Sequence, residues 1–365
     1  MNKLDIRCYF SDMKDPRIDR CKLHLLEDII FISIASVLSG AETWNDMEMY
    51  GKQKQEWLSS FLSLPNGIPT HDTFNRLFAA LEPKEFESRF ISWVQSINKQ
   101  FEGEVVGVDG KTMRGSKGKD CKSAVHIVSA WASENETVLG QLKVDEKSNE
   151  ITAIPELLDA LLLKGCVVTI DAMGCQKKIA KKILDKEADY VLAVKDNQKE
   201  LHQNIKDSFR FLKPIDQFQE TECDHGRIET RRCTVINDLS MIDNANSWHG
   251  LQSIVKIDSE RIIKATGETQ NEIRIYISSL EPDAEKIGKA IRKHWGIENK
   301  VHWILDVAFR EDSSRKRQGY AALNYSTLNR IALNLLKKDN TKIGIKGKRL
   351  KAGWNNEFIL ELIKI

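Results

Sequence analysis

A chain of 365 residues, 30% charged and 41% hydrophobic, has a soluble globular composition and length enough for one large domain or two ordinary ones. Its net charge of +2 carries no global nucleic-acid signature; only the clusters Arg315–Arg317 and Lys346–Lys351 stand out, and solvated faces would explain those too. Seven scattered cysteines with no CxxC pair exclude a disulfide framework and a zinc ribbon, and predict reduced thiols in the cytoplasm. MNKLDIRCYF does not read as a secretion signal, and Leu25–Ala41, interrupted by Glu27 and Asp28, is short for a membrane span.

Residues 1–100 read as helical. LHLLEDIIFISIASVLSG stops at Gly40, and WNDMEMYGKQKQEWLSSFLSL ends before Pro65. Thr70 or Asp72 then N-caps a helix carrying Phe74, Leu77, Phe78 and Leu81. Such helices on short turns fit a helix-turn-helix-like DNA-binding unit or a plain packed domain, and no base-reading residue separates the two. His71 and Asp72 resemble a ligand pair, but capping and turn chemistry accounts for both.

From Glu104 the apolar period shortens. VVGVD (105–109), HIVSAWAS (126–133) and TVLGQLKV (137–144) are predicted strands, with a turn-rich basic segment, GKTMRGSKGKD, after the first and a hairpin between the other two. A helix over EITAIPELLDALLLKG, closed by Gly165, leads to the strand VVTID (167–171), the helix QKKIAKKILDKEA and the strand YVLAVK (190–195). The order βββαβαβ predicts an α/β fold on a mixed sheet, a meander followed by helix-linked parallel crossovers. After a helix from Lys199 to Leu212, the runs CDHGRIETRRCTVI, LQSIVKIDSERII and EIRIYISSL make residues 214–281 a β-rich insertion. A helix through AIRKHWGIENKVHWILDVAFRED follows, its apolar stripe formed by Ile287, Ala290, Ile291, Trp295, Val301, Ile304 and Leu305, with Glu298 on or beside it. A further helix covers 321–338, and 339–365 reads as a basic tail.

Three carboxylates close or interrupt these apolar elements: Asp109 after VVGV, Asp171 after VVTI, and Glu298. Burying them is costly unless a cation meets them. Each aspartate taken singly reads equally as a turn or cap residue; together, on neighbouring strands with a helix packed across, they predict one shared site. An all-oxygen donor set suits two Mg²⁺ or Mn²⁺ ions and phosphodiester transfer. A rival zinc reading uses His294, Glu298 and His302 at four-residue spacing, but lacks HExxH and leaves both aspartates idle. The candidates to hold a DNA backbone are Lys111 and Arg114 after Asp109; Arg292, His294 and Lys300 around Glu298; and Arg315 and Arg317 beyond it. Exposed helix faces suffice for Lys177, Lys178 and Lys293, and core packing for Trp295 and Trp303.

Several long stretches carry a resemblance: GIPTHDTFNRLF, VDGKTMRGS, LGQLKVDEKSNEITAIPELLDAL, VTIDAMGCQ, DYVLAVKDNQ, HWGIENKVHWILDVAFREDSSR and GKRLKAGW. The chain resembles, over almost its full length, bacterial insertion-sequence transposases of the DDE class, in the group that includes the H-repeat-associated proteins. The resemblance implies a ribonuclease-H-like catalytic core over 101–338 with its insertion at 214–281, a transposase-associated helical domain over 1–100, and the tail. It also implies Mg²⁺-dependent cleavage and joining of DNA in the bacterial nucleoid. The partners would be double-stranded DNA, both terminal inverted repeats and target, and a second copy of the chain, because two ends must be held together. By motif, the catalytic and metal-holding acids are Asp109, Asp171 and Glu298. Many relatives carry Tyr, Arg and Lys around the glutamate where this chain has Ile291, His294 and Leu305, so Asp306, Glu311 and Asp312 compete as third acid. A transposase-derived DNA-binding protein without catalysis, and a metal-dependent nuclease without joining, are the alternatives.

Overall fold

The computed structural model describes residues 6–98, 102–118, 123–145, 149–224 and 226–363. The expected boundary at residue 100, the last two residues of GKTMRGSKGKD and His225 lie outside them. The apolar runs VVGV and VVTI are buried on both faces, as strands sandwiched between helices are. The strands are β1 (Val105–Met113), β2 (Val125–Ala132), β3 (Thr137–Lys143), β4 (Val167–Ile170), β5 (Asp189–Val194), β6 (Asp216–Asp224), β7 (Arg227–Ile236), β8 (Ser253–Ile263) and β9 (Thr269–Ser278). They form one sheet in the order β3-β2-β1-β4-β5-β9-β8-β7-β6, with β1, β4 and β5 mutually parallel and every other pairing antiparallel. The β3-β2-β1-β4-β5 portion is the ribonuclease-H-like arrangement, and the insertion prolongs the same sheet.

The helices are α1 (Arg7–Phe10), α2 (Leu26–Leu38), α3 (Trp44–Gln53), α4 (Gln55–Ser59), α5 (His71–Ala80), α6 (Pro83–Ile97), α7 (Glu150–Ala160), α8 (Lys177–Asp185), α9 (Lys199–Phe211), α10 (Ala284–Ile297), α11 (Trp303–Val307), α12 (Ala321–Lys338), α13 (Ile345–Trp354) and α14 (Asn356–Ile363). Ile154 and Leu157 of α7, Ile179 and Ile183 of α8, and Ile205 of α9 cover one sheet face at Val106, Val108, Val168 and Leu192. Ile287, Ala290 and Ile291 of α10 cover the other at Val105, Val167 and Val191. The alternation of neighbouring strand residues between these two cores is the period of an extended chain. None of the described helices is long and apolar enough to cross a membrane.

Four readings change. β1 runs on to Met113 instead of stopping at Asp109, because β2 pairs with it to the end while β4 stops at Ile170. CDHGRIETRRCTVI straddles a hairpin turned at Gly226 (φ +74°), and the strand before it, β6, is too polar to announce itself. The helix expected from Trp44 breaks at Lys54 into α3 and α4. The basic tail is two helices in one core with α2, α5, α6 and α12. Lys348 and Arg349 are buried there, donating to carbonyls at helix ends: Lys348 to Leu336 O (3.1 Å) and Arg349 to Val37 O (3.0 Å). Helix termini leave such carbonyls without intrahelical partners, which is the physical reason these cations turn inward.

Glu87 of α6 is buried where α6, β3 and α12 meet; it accepts hydrogen bonds from the Gln141 amide (2.8 Å) and Thr327 Oγ1 (3.2 Å). Burial pushes its carboxyl up to about 7, against 4.5 for an ordinary glutamate. The folded state therefore binds this proton more tightly, so its stabilisation is full below the unfolded value and is lost as pH rises through the folded one. Glu87→Gln keeps an acceptor for Gln141 and removes the proton. From about pH 4 to pH 8 the variant should gain about 3 kcal/mol on the wild type, read from urea unfolding. Parallel pH curves for the two proteins would contradict this.

Candidate active site

β1 and β4 run parallel in register from Val105 opposite Val167 to Val108 opposite Ile170. The next residue on each is an aspartate, so Asp109 and Asp171 emerge side by side where β4 ends. Asp171 also accepts the Met173 amide (3.0 Å), so the turn reading of this residue holds as well. Glu298 arrives from the helix packed across β1, at a place where its periodicity breaks. Between α10 and α11 the chain makes a π-turn over Glu298–His302. The wider turn shifts the register, a feature found mostly at functional sites. Ile297, Val301 and Leu305 take the inward positions and Glu298 is exposed, not on the buried stripe.

The three acids feel one another. Burial, then the charges of Glu150 and Asp109, raise the Asp171 carboxyl above the usual range. Partial desolvation of its carboxyl, then the charge of Asp109, raises Glu298, and Asp171 adds to it. Among the described residues no group of three or more His, Cys, Asp or Glu is set to hold one metal ion.

His302 Nδ1 lies 3.3 Å from Asp109 Oδ2, and its Nε2 is buried without a hydrogen-bond partner. Burial raises Asp109, but the bond and charge of His302, with the charge of His294, outweigh it and hold the carboxyl below its usual range. His294 turns away from solvent: its Nδ1 meets Thr169 Oγ1 at 2.9 Å, beside Gly107, and burial lowers its pKa. It is placed to pack on the sheet, not to meet phosphate. The two histidines of the zinc reading thus engage different residues. A group that sequence spacing could not reveal lies beside Asp171: Thr112 Oγ1 is 2.8 Å from His126 Nδ1, whose Nε2 is 2.6 Å from Glu150 Oε1. Gly110 makes room for it, since a Cβ there would stand 2.0 Å from Glu150 Oε1.

Lys111 is buried between Asp306 (2.7 Å) and Asp312 (2.9 Å), so it is committed inside the protein instead of facing a backbone phosphate. Glu311 is buried against Arg330 (3.0 Å). All three downstream competitors for the third acid are therefore engaged in internal ion pairs. Arg114, Arg292, Lys300, Arg315 and Arg317 are exposed. Arg114 is 3.5 Å from Asp312, Arg292 is 3.2 Å from Glu222, Lys300 pairs with Glu136, and Arg317 donates to Gly115 O (3.0 Å). Exposed pairs of this kind are weak and exchange readily for another anion. Sequence reading passed over Arg274 of β9, whose guanidinium lies 4.3 Å from the centre of the Trp295 ring.

Residues 100–335 match the family described as Transposase DDE domain, and residues 8–94 the one described as DDE_Tnp_1-associated. The Escherichia coli O157:H7 protein named "Putative transposase YncI" is 44% identical over 368 residues, covering 97% of this chain and 93% of its own. "H repeat-associated putative transposase YhhI" of Escherichia coli K12 is 40% identical over 352 residues, covering 93% and 92%. A cryo-EM structure of the piggyBac transposase synaptic complex with hairpin DNA overlaps 98% of this chain and 78% of its own at a TM-score of 0.44 and 12% identity.

Proposed function

The chain belongs to the Transposase DDE domain family, and from that premise we propose that it cuts double-stranded DNA at the inverted repeats of its own insertion sequence and joins the ends to target DNA. One observation carries the reading. Asp109 and Asp171 leave adjacent parallel strands at one edge, and Glu298 comes across to them on a π-turn, close enough for its carboxyl to feel both. Asp109, Asp171 and Glu298 would hold Mg²⁺ or Mn²⁺. The donors are hard oxygens, whereas Cys166, Cys175 and Cys233 are buried thiols. Magnesium sites need only one or two carboxylates each, the rest being water and substrate phosphate, so two ions shared among three acids require no closed trio. When bound, such ions activate the attacking water or 3′-hydroxyl and stabilise the departing oxygen.

The chain's own groups have separate tasks. His302 holds the Asp109 carboxylate in place, as a partner of a ligand does. Arg114, Arg292, Lys300, Arg315 and Arg317 bring positive charge to the DNA backbone without reading sequence. A homodimer in the DNA complex follows from the need to hold two ends at once.

The test uses duplexes bearing the element's ends. With Mg²⁺, 3′-hydroxyl ends and joined products should accumulate; with a chelator in excess, products should vanish while the duplex stays bound. Cleavage without joined products would instead make the protein a nuclease, and binding without any metal-dependent product would make it a DNA-binding protein only.

A further inference from the structure

Beyond the end of β5 the sheet opens into a cleft. β9 pairs with β5 only from Ser278 to Ile275, so Thr269–Arg274 runs on, paired to β8 alone, with its other edge open. α9 closes the opposite wall, and the cleft between them has a volume of about 800 Å³. Its charge is one-sided: Lys195, Lys206, Arg210, Lys256 and Arg274 line it, against the single acid Glu272. Arg274 pairs with Glu272 (2.7 Å), Lys256 with Asp258 (3.0 Å) and Arg210 with Asp207 (3.6 Å), all at least partly exposed. Lys195 and Lys206 are exposed and have no acidic partner among the described residues. Like-charged side chains converging on a concave wall repel one another, and an anion relieves that.

The cleft's position names the anion. Lys195 leaves the carboxyl end of β5, the strand beside β4, and so lies on the same sheet edge as Asp171. Arg274, which lines the cleft, stacks on Trp295, in the helical turn before Glu298. A polyanion reacting at the three carboxylates would continue directly into it. We infer that this cleft, between the end of β5, α9 and the free edge of β9, seats the phosphodiester backbone of a DNA strand running on from the reaction centre. The inference rests on the proposed function and adds a second contact surface to it. A cleft of about 800 Å³ has room for a short stretch of one strand's sugar-phosphate chain. Of the rings that line it, Tyr276 is buried and His202 and Phe209 only half-exposed, whereas the cations reach solvent, so the contact is chiefly to phosphates and indifferent to base sequence.

Full-length protein and a Lys195→Gln/Lys206→Gln/Arg210→Gln variant would be compared by anisotropy on a labelled element-end duplex and an unrelated duplex across a salt series. The slope of log affinity against log salt should fall by about 2 to 3, with affinity near 0.1 M salt weakened about a hundredfold. Loss on the element-end duplex alone assigns the strand to the transposon end, loss on the unrelated duplex alone to the target, and loss on both to either. Lys195→Arg/Lys206→Arg should keep the wild-type slope, showing that charge is read. Lys195→Gln/Lys206→Gln alone, at exposed sites, should still lower the slope by about 2. An unchanged slope in the glutamine variants, with a wild type that cleaves end DNA, would overturn the cleft and leave the proposed function standing. A wild type that binds neither duplex would overturn both.

Discussion

Asp109→Asn is expected to lower end cleavage and joining by about a thousandfold or more while leaving affinity for end DNA within a few-fold of wild type. The substitution keeps the side chain's shape and a contact to His302, and removes the charge that would hold a divalent cation between β1 and β4. Loss of that charge stabilisation is worth several kcal/mol, and each 1.36 kcal/mol is tenfold in rate. The fold should not suffer. Removing the Asp109 charge relieves the repulsion that raises Asp171 and Glu298 but gives up the charge pairing with His302 that holds its own carboxyl low, so the two effects oppose and the variant should melt close to the wild-type temperature. Asp171→Asn and Glu298→Gln should behave alike. Single-turnover assays on end duplexes, alongside binding measurements, check all three. Cleavage retained in Asp109→Asn would remove this residue from the proposed centre.

Glu311→Ala should cost about 3–5 kcal/mol of folding stability, far more than any exposed ion pair on this protein. Glu311 and Arg330 side chains are both 0% exposed and 3.0 Å apart. Arg330 also reaches Ser129 Oγ at 3.4 Å, and Ser129 stands opposite Asp109 in the β1–β2 register. The pair thus ties α12 to the strand behind the candidate site. Removing the carboxylate strands a guanidinium in a low-dielectric interior, where the solvation it lost on folding is no longer repaid by a partner. Replacing both residues with apolar side chains of similar size should recover most of the loss, because neither charge then remains to be desolvated. Guanidinium unfolding with an unchanged m-value is the measurement. A loss below about 1 kcal/mol for Glu311→Ala would mean that the site is wet or able to rearrange.

By itself the sequence determined the central strands and the places of Asp109 and Asp171 at the ends of two of them. VVGV and VVTI are apolar on both faces, which only a strand covered on both sides can satisfy, and a charged residue ending each run has to leave at an edge. Gly40, with positive φ, marked where a helical segment stops for a local reason that needs no tertiary partner, whereas the helix expected to run to Gly165 ends at Ala160, where Leu161 turns extended. The orientation of Glu298 was not legible in this way, because a helical wheel assumes one period throughout and the π-turn at Glu298–His302 breaks it. Nor was the fate of the cations. Lys111 meets Asp312 across 201 residues of chain, Arg349 caps a carbonyl of α2 across 312, and Lys348 turns back onto the end of the preceding helix. Whether a charge faces solvent, a distant acid or a helix end depends on which elements pack together. That is a property of the assembled core, and the local order of residues does not contain it.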